Sequence, residues 1–163
     1  MIFFFHKMGG NFMKFKDIIN TVLELDCFDA YCLADRLGID LVYDNDMLQN
    51  EPAKLICLPE HTMLYLNETL GTKEEYLIYH EIGHYVLHSD QGINKLFNNR
   101  RLEYEANMFA CLCLVHADLS ADYYSMYLIS QGVPQKIALD FHEAIYQYKQ
   151  TELFGDCWRI LEC

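Results

Sequence analysis

The chain is short of positive charge. Twelve Lys and Arg stand against 24 Asp and Glu, a formal net charge of −12 at pH 7. Nucleic acid and anionic membrane surfaces both require clustered basic side chains, so direct binding to either is not expected. Long apolar runs are missing too. Met1–Phe5 and Cys111–Val115 fall far short of the about 20 residues that span a bilayer. Met1–Phe5 is also shorter than a signal-peptide core of about 7–15 residues, and no cleavage site follows it. There is no C-x-x-C among the seven cysteines, and their number is odd. Reduced thiols in a cytoplasmic protein are the expected state, with Cys111 and Cys113 acting as small hydrophobes. No internal repeat, linker or low-complexity segment interrupts the 163 residues, a length that suits one domain with a real core.

What the sequence does contain is centred on His80-Glu81-Ile82-Gly83-His84. On a helix, residues four apart share a face about one turn apart. His80 and His84 can then aim two imidazoles at one point, as zinc ligands do. Glu81 stands beside them, in reach of the open side of such a metal. This is the arrangement of metal-assisted hydrolysis, with the Glu as general base. The run from Tyr76 to Leu87 is helical in pattern, and Thr72 and Glu75 have capping-box spacing. Gly83 is out of place, since Gly inside a helix costs about 1 kcal/mol against Ala. A close-packed backbone or a loose helix end would each account for it.

Two histidines leave a catalytic zinc one protein ligand short. His88 continues the four-residue spacing, but it lies about 12 Å along the axis from His80, too far to share one ion. Downstream, Arg101–Ala110 is helical in pattern, with Glu103 and Asn107 on one face. Glu103 can complete a two-His, one-Glu set. Asn107 can accept a hydrogen bond from the far nitrogen of a ligand imidazole and fix its direction. Glu105 points about 200° from Glu103 on the same helix, so both cannot face one metal. Glu103 is preferred, because only it has an amide four residues on.

The run H-E-I-G-H-x-x-L-H, followed by E-x-E-A-N-x-F-A, resembles the ImmA/IrrE family of zinc metallopeptidases, thermolysin-related gluzincins of bacteria, phages and integrative elements. The likeness covers roughly residues 34–114 and includes Ala34-Asp35-Arg36-Leu37-Gly38-Ile39. It implies Zn²⁺ as cofactor, His80, His84 and Glu103 as ligands, Glu81 as the catalytic base and Asn107 behind them. The match departs after Ala110: Cys111–Ala117 stands where many members have L-L-M-P. It further implies a narrow endopeptidase whose substrate is a helix-turn-helix repressor encoded nearby. A protein of net charge −12 suits a basic partner of that kind.

The remaining elements follow from pattern. Helices are expected over residues 14–25 and 28–37, a strand over 39–43, and a hairpin of strands 55–58 and 63–66. The metal-motif helix comes next, then a polar loop over residues 89–99 and the Glu103 helix over 100–115. Helices over 120–131, with Ser120 as N-cap, and over 134–150 complete the chain. In the tail, Trp158 is expected to pack on the body. The fold class is α+β: a small, mostly antiparallel sheet with a helical zincin-like core and extra C-terminal helices. Gly9–Phe12 is compatible with a coding sequence holding a ribosome-binding site ahead of Met13. Residues 1–12 are therefore read as leader and 13–163 as a single metallopeptidase domain. Tyr123, Tyr124 and His116 stand unranked as donors to an oxyanion. The competing readings are a metal-stabilised module that sequesters a repressor without cutting it, and a zinc hydrolase acting on something other than protein.

Overall fold

The computed structural model describes residues 14–88, 99–120 and 122–160, with side chains as far as Thr151. The leader, nearly all of the polar loop and the packing of Trp158 lie outside these residues. Helices α1 (Phe15–Leu25) and α2 (Ala30–Arg36) come first. Asp29 caps α2, its Oδ1 accepting the Cys32 N–H at 2.7 Å. Such a cap is worth about 1 kcal/mol. Gly38, at φ +70°, then turns the chain into the sheet.

Three strands follow: β1 (Ile39–Tyr43), β2 (Ala53–Cys57) and β3 (Thr62–Leu66). The order across the sheet is β1-β3-β2. The expected hairpin forms, with β2 antiparallel to β3 and Leu55 opposite Leu64. β1 runs parallel to β3, with Leu41 opposite Leu64. The α+β class holds, but the sheet has one pairing of each kind. The cause is the connection over residues 44–52, which carries the chain past the central position to the far side. β3 then returns into the middle and lies beside β1. β2 is left as an edge strand whose only described neighbour is β3.

After the sheet comes a 3₁₀ turn (Gly71–Lys73), then α3 (Glu74–His88) and α4 (Arg100–Leu114). Thr72 sits inside the 3₁₀ turn and does not cap α3. The Glu74 carboxylate accepts hydrogen bonds from the phenols of Tyr31 and Tyr43, tying α2, β1 and the start of α3 together. Asn99 caps α4 by accepting the Arg101 N–H at 3.1 Å. α3 and α4 lie along one another, and both face the core. Ile78, Tyr79 and Ile82 of α3 share one core with Met108, Phe109 and Leu112 of α4, all essentially inaccessible to water. Each such side chain contributes about 1.5–3 kcal/mol through burial. Last are α5 (Tyr124–Ser130) and α6 (Gln135–Ile160). α5 is shorter than its sequence pattern suggests. Ser120 is not its N-cap, because the helix starts only at Tyr124, with Tyr123 in the N-cap position. Among the described residues no helix is long and apolar enough to cross a membrane.

Candidate metal centre

The α3–α4 pairing brings the motif residues together. His80 and His84 project from α3, with their Nε2 atoms 3.2 Å apart. Glu103, from the first turn of α4, reaches both. Its Oε2 lies 3.4 Å from His80 Nε2, and its Oε1 lies 3.3 Å from His84 Nε2. Among the described residues these three form the one group of His, Cys, Asp and Glu side chains whose donor atoms converge. The spacing is informative. Ligands at about 2.0–2.1 Å from a tetrahedral zinc stand about 3.3 Å from one another. The two Nε2 atoms stand at that separation, and one donor atom from each of the three residues lies within 4.8 Å of the others, so the donor set suits the ion by number, chemistry and reach.

Gly83 accounts for how α4 comes so near. A Cβ there would sit 3.1 Å from Phe109 Cδ1 and 3.2 Å from the Ala106 Cα. Of the two explanations open from sequence, close approach of backbones is the one the structure supports.

Electrostatics follow from burial and pairing. Burial opposes a charge on His80, but hydrogen bonding to Glu103 and the Glu81 carboxylate outweigh it and raise its pKa above the ordinary value. Glu103, flanked by both imidazoles, is held well below the usual carboxylate range. Burial pushes Glu81 upward, only partly offset by His80 and His84. A raised carboxylate is a better proton acceptor near neutral pH.

Glu81 lines a cleft of about 260 Å³ together with His80, His84 and Glu103. The opposite wall is Ala53, Lys54 and Leu55 of β2, the edge strand. Sequence reasoning assigned β2 no role beyond its hairpin. Tyr123, Tyr124 and His116 line a different cavity, and Tyr124 donates its phenol to the Asp118 carbonyl at 2.6 Å.

Asn107 lies close enough to favour a charged His80. Its Oδ1 accepts the Tyr76 phenol at 2.7 Å, while His80 Nδ1 is buried with no partner at hydrogen-bond distance among the described residues. The better-made support lies behind the other histidine. His84 Nδ1 is 3.2 Å from His88 Nδ1, and His88 Nε2 is 2.9 Å from Glu105 Oε2. Sequence reasoning dismissed His88 and Glu105 as ligands and assigned them nothing else. The signal was present: His84 and His88 are four apart, so they share a face.

A small sheet borders a cleft where two helices gather two histidines and a glutamate, a donor set that could hold a metal ion. The family model of the IrrE N-terminal-like domain, a peptidase family, matches residues 34–143, and the chain belongs to that family. No curated protein and no solved structure gives a significant match.

Proposed function

We propose that the protein is a zinc-dependent endopeptidase of narrow specificity, acting on a basic helix-turn-helix repressor of a phage or mobile element. The observation that carries this is the convergence of His80, His84 and Glu103, with donor atoms within 4.8 Å of one another, in a cleft that also holds Glu81. A two-His, one-Glu set is a catalytic zinc set, since it leaves a fourth position for water. A zinc ion held by His80, His84 and Glu103 would supply Lewis-acid activation of a water. Glu81, on the cleft wall beside these residues, would accept the proton of the attacking water and deliver it to the leaving nitrogen. The edge of β2, unpaired among the described residues, offers backbone N–H and C=O groups to an extended substrate. That feature favours a peptide over a small-molecule substrate. The intact Glu81 favours cleavage over sequestration, because a pure binding module needs no base.

The net charge of −12 steers a basic partner toward the protein and raises the association rate. The test mixes the full chain, or its Glu81→Gln variant, with the repressor encoded beside it and with casein, at two salt concentrations. Expected is one cut in the repressor by the wild type alone, slower at 1 M salt than at 0.1 M as the Debye length falls from ~10 Å to about 3 Å. Efficient casein digestion with an intact repressor overturns the specificity. Tight binding of the repressor without a cut favours the sequestering module.

A further inference from the structure

Glu103 lines two cavities. One is the cleft beside β2, and the other is a groove of about 820 Å³ walled by α4 and α6. We infer, on the strength of the endopeptidase reading, that this groove continues the substrate cleft beyond the three donors, and that Lys136 and Arg100 select an acidic side chain, Asp or Glu, on the stretch of peptide lying in it.

The continuity comes from one helix face. Arg100, Glu103, Tyr104 and Asn107 recur at three- and four-residue spacing, so they stand on one side of α4. Glu103 is in the middle of that face. Its side chain remains 46% exposed although it reaches both imidazoles. A peptide laid along β2 as far as the donors has this face as its onward path. The opposite wall is α6, which contributes Lys136 and Asp140, one turn apart.

The selectivity comes from two cations. Acidic residues outnumber basic ones by 24 to 12, so carboxylates are in surplus as partners. Arg100 and Lys136 are nevertheless exposed, with no ion pair among the described residues. They come from different helices and line one groove. The carboxylates already there are placed elsewhere. Glu103 is taken up by His80 and His84. Asp140 is half-buried near Tyr104, whose pKa is raised by burial and then by the Asp140 charge. Asp140 alone would favour a basic guest, but two cations against one such carboxylate decide for an acidic one. Arg and Lys both form charge-assisted hydrogen bonds to a carboxylate, which an extended peptide carries as Asp or Glu. The net charge of −12 acts at longer range, on the partner as a whole. A partner that is basic overall and acidic beside the cut satisfies both.

Binding to metal-free protein tests the groove apart from catalysis. The ¹⁵N-labelled full chain, stripped of metal, is titrated with two blocked tripeptides, acetyl-Ala-Glu-Ala-amide and acetyl-Ala-Lys-Ala-amide. Expected are amide shifts at Tyr104, Asn107 and Ile137, with the glutamate peptide binding about 3–10-fold more tightly, the scale of one solvent-screened ion pair. Lys136→Glu is expected to reverse that preference, and the fold tolerates it because an acidic residue suits the first turn of a helix. Arg100→Glu is expected to weaken the glutamate peptide in the same direction. No shift at the groove, equal affinity for the two peptides, or a preference for the lysine peptide overturns the inference. So does a preference that neither variant moves. A second measurement maps the cut that zinc-loaded protein makes in the neighbouring repressor. An acidic residue is expected beside the scissile bond, and changing it to Lys is expected to slow the wild type but not Lys136→Glu. A cut with no acidic residue beside it overturns the groove's selectivity and leaves the endopeptidase standing. The expected peptide preference in a protein that cuts nothing sinks the endopeptidase and leaves a groove that binds acidic peptide.

Discussion

Gly83 of α3 faces the Ala106 backbone of α4 so closely that a Cβ would lie 3.3 Å from the Ala106 carbonyl oxygen. By helix propensity alone, Gly83→Ala gains about 1 kcal/mol. Overpacking against backbone and the fully buried Phe109 costs about 1–3 kcal/mol. The second effect wins, because backbone cannot rotate away as a side-chain tip can. Thermal unfolding is expected to show a lower Tm for Gly83→Ala. A higher Tm would mean that α4 moves aside freely.

Metal content separates ligand from base. One Zn²⁺ per chain is expected by elemental analysis of purified protein. Glu81→Gln is expected to keep it while losing cleavage, whereas His84→Ala and Glu103→Ala lose the metal itself. Full zinc occupancy in Glu103→Ala would remove Glu103 from the ligand set.

The two phenols on Glu74 give an alkaline signature. Burial and the bond to Glu74 push Tyr31 up to about 12 from 10.0. The Glu74 bond, then burial, does the same for Tyr43. In both cases the folded state holds the proton more tightly. The stabilisation is therefore complete below pH ~10, where unfolded tyrosine is also neutral, and is lost as pH rises toward about 12. A Tyr31→Phe, Tyr43→Phe variant is expected to lose stability less steeply across that window in denaturant titrations. An unchanged slope would show that neither phenol contributes.

Thiol reactivity reports burial. Cys111 and Cys113 are 0% and 1% exposed, and burial raises both pKa values, so thiolate is scarce and shielded. Mass spectrometry after brief labelling of native protein is expected to find Cys32, which is exposed, modified well before either of them. In denaturant without reductant all seven thiols are expected to react. Fewer than six would indicate a disulfide.

The helices and the pairing of His80 with His84 were legible because each is a matter of local spacing. His80 and His84 are one turn apart whatever surrounds them, and Glu103 follows from the need for a third donor. The parallel pairing of β1 with β3 was not legible, since it depends on where residues 44–52 carry the chain. The link from His88 to Glu105 was hidden for a related reason. It joins two helices 17 positions apart, and its partners become obvious only when α3 and α4 are laid side by side. Thr72 misled because a capping-box spacing also fits a tight 3₁₀ turn. Ser120 misled because the helix it was read to cap begins only at Tyr124.

Under the proposed function, the edge of β2, unpaired among the described residues, has a consequence for what can be cut. A strand edge engages only backbone that is already extended, and a helix uses its own N–H and C=O groups internally. A compact, helical target therefore has to uncoil a stretch of itself before it can lie in the cleft. The free energy of that local opening belongs to the target, and it sets the fraction of molecules ready for attack at any moment. Two proteins with the same residues around the scissile bond would then differ in lifetime according to how firmly each holds that stretch shut. Anything that loosens the target, such as a lost partner, would hasten its destruction with no change in the protease.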